Sequence, residues 1–274
     1  MRNFKRDTDL IGSRFKNLLV CHLLGLITSD VAQNGYYQQA EKIINLAKSV
    51  VFTAINSVVG VRNAYLFAEK RFDEIHKKIA ISFNYIFFMG FGCCFGIMGV
   101  AKTFVPFFFG PGYDQVVGLL YLFSPIIVII GISNCLGSQY YTPCGKRKES
   151  TNYLIAGSVV NLILNLLMIP RFGAEGAAIA SVIAETVVSV LYVKFSCGYG
   201  NISVLLKTGG KKMLAGIFMF CIVFYLNRLQ MNSLLLLAIQ VAVGCSVYVA
   251  FLLVTRDVWT QSMFEKVWRK VKHG

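Results

Sequence analysis

Charged residues are scarce in this chain of 274 residues. They make up 15 % of it, against about 25 % in an average soluble domain. Hydrophobic residues make up 56 %, and several apolar runs reach the roughly 20 residues that a helix needs to cross the hydrocarbon core of a bilayer. This composition excludes an ordinary soluble domain and predicts an all-α polytopic membrane protein.

Recognisable catalytic and metal-binding patterns are lacking as well. The three histidines lie far apart, and the eight cysteines include no C-x-x-C pair, so the usual zinc and disulfide frameworks are not indicated. Nucleophile-elbow, P-loop and paired-histidine motifs are absent from the sequence. We therefore expect no enzyme activity, no metal and no cofactor.

Basic residues are plentiful, with a formal net charge of +14, and their distribution follows a topology. The candidate spans are residues 36–67, 79–101, 114–138, 150–169, 174–196, 212–228 and 233–255. They divide the basic residues between two alternating sets of loops, with sixteen in one set and three in the other. The sixteen lie within residues 70–78, 146–148, 194–212 and 256–272. This positive-inside asymmetry predicts cytoplasmic loops and a cytoplasmic carboxy terminus, and it argues against nucleic-acid binding.

The beginning of the chain does not fit this pattern. Its apolar run NLLVCHLLGLITS has 13 residues, too few for a span. We expect residues 1–23 to be an atypical amino-terminal segment with the remnant of a transmembrane helix. A signal peptide is the alternative, although no A-x-A-like cleavage site follows the run.

A polar stripe follows one side of the first candidate span. At 100° per residue, Glu41, Lys48 and Arg62 lie within about 60° of one another. The adjoining flank carries amide side chains, which are Asn45, Asn56 and Asn63. Charged groups inside a membrane usually face a bundle interior or a water-filled cavity, so the stripe predicts a polar lumen. For Arg62, snorkelling to the headgroups is an equal alternative.

Small residues recur at helical spacing in two places. One is Gly92-x-x-x-Gly96, and the other is the series Gly176, Ala180 and Ala184. Such faces let helices approach closely in a membrane, where small residues promote packing. We expect both to be helix-packing faces.

Glu185 lies beside the second of these faces, about twelve residues beyond a Pro-Gly turn region. A carboxylate at that depth has two interpretations. It is a coupling site for a proton or sodium ion, or it is a structural charge that pairs with a neighbouring helix, and we favour the structural role.

Three stretches together indicate a family. The stretches NLILNLLMIPRFGAEGAAIASVIAE, GYYQQAEKIINLAKSV and FFFGPGYDQ resemble the carboxy-terminal half of polysaccharide flippases. These are the O-antigen, capsule and exopolysaccharide exporters of lipid-linked oligosaccharides in the multidrug/oligosaccharidyl-lipid/polysaccharide exporter superfamily. The resemblance extends from about Leu24 to Val254.

The resemblance implies a fold of two six-helix lobes with a cationic central cavity, followed by two extra helices. Residues 24–199 would be the second-lobe bundle, residues 200–255 a linker and the extra transmembrane pair, and residues 256–274 a basic cytoplasmic tail. The first lobe is absent from the chain. The tail either lies along the inner leaflet or is a frayed polar end.

The implied activity is the flipping of undecaprenyl-pyrophosphate-linked oligosaccharide across the bacterial cytoplasmic membrane. Lys48 and Arg62 would attract the pyrophosphate, and Asn45, Asn56 and Asn63 would bind sugar hydroxyls. Expected partners are the lipid-linked oligosaccharide, membrane lipids, a first lobe or a second copy, and a polysaccharide polymerase. The alternatives are a non-transporting truncated product, a structural membrane subunit, and an exporter of peptidoglycan precursor or drugs.

Overall fold

The computed structural model describes residues 20–28, 30–56, 65–67, 69–229 and 231–273. After a helical stretch at 20–28, the described residues form helices α1 (Val31–Asn56), α2 (Phe72–Phe109), α3 (Asp114–Phe123), α4 (Ile126–Leu136), α5 (Arg147–Lys194), α6 (Ile202–Leu226), α7 (Ser233–Val254) and α8 (Val258–His273). A short π-helical turn, Gly137–Tyr141, continues α4. No strand occurs in the described part of the chain, which confirms the predicted all-α class.

Five described segments are long and apolar enough to cross a membrane. They are Phe72–Phe109, Asp114–Tyr141, Arg147–Lys194, Ile202–Leu226 and Ser233–Val254. The chain is therefore a multi-span membrane protein, as predicted. The first predicted span, 36–67, is helical from Val31 to Asn56 and does not belong to this set, because charged and amide side chains interrupt its apolar residues.

Helix α5 is a hairpin with a first arm (residues 147–172) and a second arm (residues 174–194). Gly173 separates them with φ 52° and ψ −130°, a conformation that favours glycine. Asn161 Nδ2 on the first arm donates to Ser181 Oγ on the second, at 3.4 Å. The arms therefore run antiparallel, which confirms the predicted turn between spans 150–169 and 174–196.

Local chemistry explains where other helices begin and end. The side chains of Asn201 and Asn232 cap α6 and α7 by accepting hydrogen bonds from the backbone N–H groups two residues on, each at 3.0 Å. Such caps satisfy donors that have no partner within the helix. Helix α3 ends at Ser124-Pro125, where Ser124 Oγ donates to the Leu120 carbonyl at 2.6 Å.

Helix α2 lies between two packed groups of helices. On one side it packs on α3 and α4, which in turn contact α1 and α5; on the other side it packs on α6 and α7. The α6 contact is close because Gly99 of α2 faces Val223, and Phe95 lies over Gly216. The chain thus forms a bundle of α1–α5 with a pair of helices, α6 and α7, on its side.

Candidate functional site

Helix α1 runs parallel to the second arm of α5, and their contact carries the polar residues that the sequence singled out. Near the turn, Gln33 Oε1 accepts a hydrogen bond from Ala174 N at 3.2 Å. Further along, Tyr37 OH lies 3.3 Å from Ser181 Oγ. Glu41 and Glu185 each lie one helical turn beyond Tyr37 and Ser181, so both carboxylates belong to this α1–α5 seam.

A chain of buried polar groups fills the outer part of the seam. From Ser181 it continues to Asn161, and Asn165 Nδ2 donates to Asn161 Oδ1 at 3.1 Å and to the Asn161 carbonyl at 2.7 Å. Asn161 and Asn165 are 2 % and 0 % exposed. These amides therefore join the two arms of α5 to α1, since buried polar groups in a membrane protein need partners within the protein.

The polar stripe of α1 continues the seam inward. Glu41, Asn45 and Lys48 follow one another at helical spacing and are half-buried. Asn45 Nδ2 lies 3.5 Å from Glu41 Oε1, a long hydrogen bond. The predicted residues Arg62 and Asn63 lie outside the described part of the chain, as does the side chain of Asn56. The structure thus brings together three of the predicted stripe residues.

Beside the stripe, α1 has one face that packs into the core and one face that is exposed. Tyr37, Ala40 and Ile44 are at most 2 % exposed, whereas Leu46 and Val50 are 70 % and 59 % exposed. Helix α1 is therefore covered on one side only, and its half-buried stripe lies at the border of the uncovered side.

Glu185 is half-buried next to a tightly packed face of the second arm. Gly176, Ala180 and Ala184 are all buried. A side chain on Gly176 would lie 2.5 Å from the carbonyl oxygen of Met168, so the hairpin turn requires glycine there. The small residues bring the two arms of α5 together, and Glu185 flanks this contact.

Gly92 and Gly96 lie on the side of α2 that faces the helix pair. Gly92 lies against the ring of Tyr248 on α7, and Gly96 against the Met219 side chain on α6. Large side chains therefore fill the spaces over these glycines. The described contacts of Gly92 and Gly96 are with α6 and α7 and lie away from the α1–α5 seam.

Sequence reasoning missed an ion pair between α6 and the start of α8. Lys212 was assigned to a cytoplasmic loop but lies within α6, and its side chain is 0 % exposed. Its Nζ donates to Asp257 Oδ2 at 2.9 Å, to Asn84 Oδ1 at 3.1 Å and to the Thr208 carbonyl at 3.2 Å. The two charged residues are 45 positions apart, so no local pattern indicates that they pair.

The Asp257 carboxylate stays charged in this position. Burial raises its pKa, but hydrogen bonds from Lys212 and Thr260 outweigh burial and hold the pKa below its ordinary value. This contact between α6 and the start of α8, called the junction below, is thus an ion pair in which both charged groups have hydrogen-bond partners. Those hydrogen bonds offset the desolvation of the two charges.

The seam offers charge and amide groups for recognition. Within the described residues, no group of three or more histidine, cysteine, aspartate or glutamate side chains could hold a metal ion. A half-buried lysine beside amide and carboxylate groups suits an anionic, hydroxylated ligand, because the amine attracts charge and the amides exchange hydrogen bonds.

Comparisons with known proteins agree with the resemblance. No family model matches the chain. Over 95 residues, 35 % of this chain, it is 34 % identical to the "Putative O-antigen transporter" of Escherichia coli (strain K12). It is 30 % identical over 116 residues, 42 % of the chain, to "Uncharacterized membrane protein MJ1068" of Methanocaldococcus jannaschii. Each match spans 23 % of the relative's length.

A solved structure extends the likeness to nearly the whole chain. The lipid II flippase MurJ, in an inward closed conformation, superimposes with a TM-score of 0.68 at 18 % identity. The match covers 94 % of this chain and 56 % of the MurJ chain. The chain therefore has part of the MurJ fold, and the two kinds of comparison confirm the resemblance that the motifs indicated.

Proposed function

We propose that the chain is one part of a flippase that exports undecaprenyl-pyrophosphate-linked oligosaccharide across the bacterial cytoplasmic membrane for surface polysaccharide synthesis. The observation that carries this proposal is the MurJ-like fold over 94 % of the chain, joined to the sequence match with the O-antigen transporter. The positive-inside asymmetry supports a cytoplasmic carboxy terminus.

The stripe of α1 is the proposed substrate-facing surface. Gln38, Lys42 and Ser49 are exposed on the same side of α1 as Leu46 and Val50. We therefore infer that this uncovered side faces water or another polypeptide and not lipid alone. Lys48, together with Arg62, attracts the pyrophosphate across a cavity in which water screens charge weakly. Asn45, with Asn56 and Asn63, exchanges hydrogen bonds with sugar hydroxyls.

In this proposal the complete transporter has a first lobe in addition to the second lobe that this chain resembles. Alternating access requires two lobes that rock about a shared site, and the chain matches 56 % of MurJ. In this proposal a first lobe, or a second copy of the chain, completes the cavity beside α1. A polysaccharide polymerase would receive the exported lipid-linked units.

Glu185 has a structural role in this proposal. Its place beside the packed arms of α5, one turn from Ser181, supports a charge that holds the seam together. A Glu185→Gln variant is then expected to export normally per folded molecule and to unfold more readily. Normal stability with lost export would instead make Glu185 a coupling site for a proton or sodium ion.

The test is complementation in a bacterium that lacks its own flippase of matching substrate. The chain is expressed alone and with a family first lobe, membrane insertion is confirmed, and surface polysaccharide is measured. We expect export when the first lobe is supplied. Insertion without export in every combination would contradict the proposal and favour a structural subunit.

A matched pair of substitutions on α1 tests the site. Lys48→Ala is expected to abolish export, whereas Lys42→Ala should leave it unchanged, because Lys42 is exposed and lies off the stripe. Equal export by both variants would place the substrate elsewhere.

A further inference from the structure

Three segments with basic residues adjoin the end of α7. Lys207 and Lys211 are exposed on the first turns of α6, and Lys211 Nζ donates to the Thr255 carbonyl at 3.0 Å. Arg256 follows, exposed and with φ 51°. Helix α8 starts two residues later at Val258, and residues 258–273 carry four lysines and arginines against one glutamate. The positive charge is therefore concentrated at one end of the helix pair.

The start of α8 is fixed to the membrane-spanning helices. Asp257 Oδ1 caps α8 by accepting hydrogen bonds from Thr260 N at 3.0 Å and from Thr260 Oγ1 at 2.8 Å. Its other oxygen pairs with buried Lys212 at 2.9 Å. The ring of Trp259 packs on Phe88 of α2, with centroids 5.5 Å apart. The first turn of α8 is therefore held against α6 and α2.

The sequence of α8 has two unlike halves. At 100° per residue, one half of the helix circumference carries six of the seven bulky apolar residues of α8, which are Trp259, Met263, Phe264, Val267, Trp268 and Val271. Lys266, Arg269 and Lys272 belong to the opposite half with Val258, and Lys270 lies near the edge of the apolar half. Met263 is 42 % exposed. A helix with bulky apolar residues on one half and basic residues on the other is typical of segments that lie in the membrane interface.

We propose that α8, Lys211 and Arg256 form a binding surface for anionic phospholipid headgroups of the cytoplasmic leaflet. The apolar half of α8 enters the boundary between headgroups and acyl chains, while the basic residues contact lipid phosphates. Each basic residue near such a surface strengthens membrane binding about fivefold at moderate salt. This proposal concerns a surface away from α1 and does not depend on the flippase activity.

The two tryptophans of the chain, Trp259 and Trp268, both belong to α8, so fluorescence can report its depth. In a Trp259→Phe background, which keeps an aromatic ring beside Phe88, Trp268 is the sole emitter. The full chain is placed, one copy per disc, in nanodiscs of phosphatidylcholine with or without phosphatidylglycerol. Quenching by lipids with a spin label near the headgroup, and by aqueous iodide, is then measured.

We expect the spin-labelled lipids to quench Trp268 at least about twofold more strongly in discs with phosphatidylglycerol, with iodide quenching reduced to match. The substitutions Lys266→Gln, Arg269→Gln, Lys270→Gln and Lys272→Gln together should remove the difference. As a matched control, Lys70→Gln, Lys77→Gln, Arg147→Gln and Lys148→Gln remove the same charge from exposed positions elsewhere and should leave the difference intact.

The quenching of Trp268 is also measured at high salt in the chain that keeps its basic residues. This measurement does not depend on how the charge variants fold. High salt should lower the phosphatidylglycerol-dependent quenching, because the attraction is screened. The proposal is overturned if quenching is equal in both kinds of disc, if salt has no effect, or if the control substitutions remove the difference as well. Strong quenching in phosphatidylcholine alone would show insertion without recognition of anionic lipid, which also contradicts it.

Discussion

The α1–α5 seam and the junction of α6 with α8 both carry charged residues, but they differ in how completely protein covers them. At the junction, Lys212 is 0 % exposed and has three hydrogen-bond acceptors. Along the seam, Glu41 and Lys48 are half-buried on a helix with one uncovered side. The junction is complete within this chain. The seam borders a surface that the described residues leave open.

The opposite end of the helix pair repeats the pattern of the junction. Asn227, directly after α6, accepts at its Oδ1 from Thr103 Oγ1 of α2 at 2.8 Å and from Gln240 Nε2 of α7 at 3.1 Å. Polar contacts thus hold α2, α6 and α7 together at both ends. The structural groups Lys212, Asn161 and Asn165 are buried, whereas Asn45 and Lys48, which we assign to substrate, are half-buried.

Breaking the junction should give the largest loss of stability. Lys212→Ala leaves Asp257 buried without its cation, and we expect the free energy of unfolding to fall by about 3–5 kcal/mol. Chemical unfolding in detergent micelles measures this loss. Lys211→Ala, at the neighbouring exposed position, should cost less than about 1 kcal/mol.

The pH dependence of stability shows whether the junction is held by an ion pair or by packing alone. Because its hydrogen bonds lower the pKa of Asp257 in the folded protein, the pair stabilises the fold above the unfolded pKa of about 3.9. That contribution is lost as the pH falls through the lower folded pKa. The difference between Lys212→Ala and the unsubstituted chain should therefore shrink in acid, and a pH-independent difference would argue for packing alone.

The tight turn of α5 should be the next most sensitive place. In Gly176→Ala the new methyl group would lie 2.5 Å from the Met168 carbonyl oxygen. The backbone must shift to admit it, at a cost of about 1–3 kcal/mol. Gly210→Ala is the control, since nothing lies within 4 Å of that position. Equal unfolding midpoints for the two variants would show that the hairpin is not tightly packed.

Removing one amide from the seam should have a smaller effect. Asn161→Leu breaks the hydrogen bonds to Ser181 and Asn165 and should cost about 0.6–1.7 kcal/mol, the range found for hydrogen bonds inside membrane proteins. Thermal unfolding in nanodiscs provides the measurement. If Asn161→Leu is as stable as the unsubstituted chain but loses export in the complementation test, Asn161 belongs to the substrate site and not to the structural groups.

The stripe itself should contribute least to stability. A half-exposed charge on a helix contributes about 0–1 kcal/mol, so Lys48→Gln should unfold almost like the unsubstituted chain while export is lost. If Lys48→Gln lost as much stability as Lys212→Ala, the seam and the junction would not differ in the way that we infer.

Much of the fold could be predicted from local sequence. Apolar runs separated by basic loops predict the spans, and the Pro-Arg-Phe-Gly stretch predicts the turn that Gly173 makes. The stripe residues Glu41, Asn45 and Lys48 share one side of α1 because helical spacing alone determines that. Its polarity also explains why α1 is not among the helices apolar enough to span.

Contacts between distant segments could not be predicted in this way. The pairing of Lys212 with Asp257 depends on α7 returning the chain to the start of α6. From helical spacing alone, Asn161 and Asn165 could either join helices or line a lumen, and the contacts of Ser181 with Asn161 and Tyr37 favour a structural role. The uncovered side of α1 likewise follows from which helices pack on it.

The buried ion pair also constrains the order in which the protein can be made. Lys212 leaves the ribosome 45 residues before Asp257, and a lysine in a membrane segment is unfavourable by up to about 3.5 kcal/mol at the bilayer centre. Asn84 and the Thr208 carbonyl precede Lys212 in the chain, so two of its three acceptors are available before Asp257 is synthesised. The third acceptor arrives only after α7 has been made, so the packing of α6 and α7 is completed together.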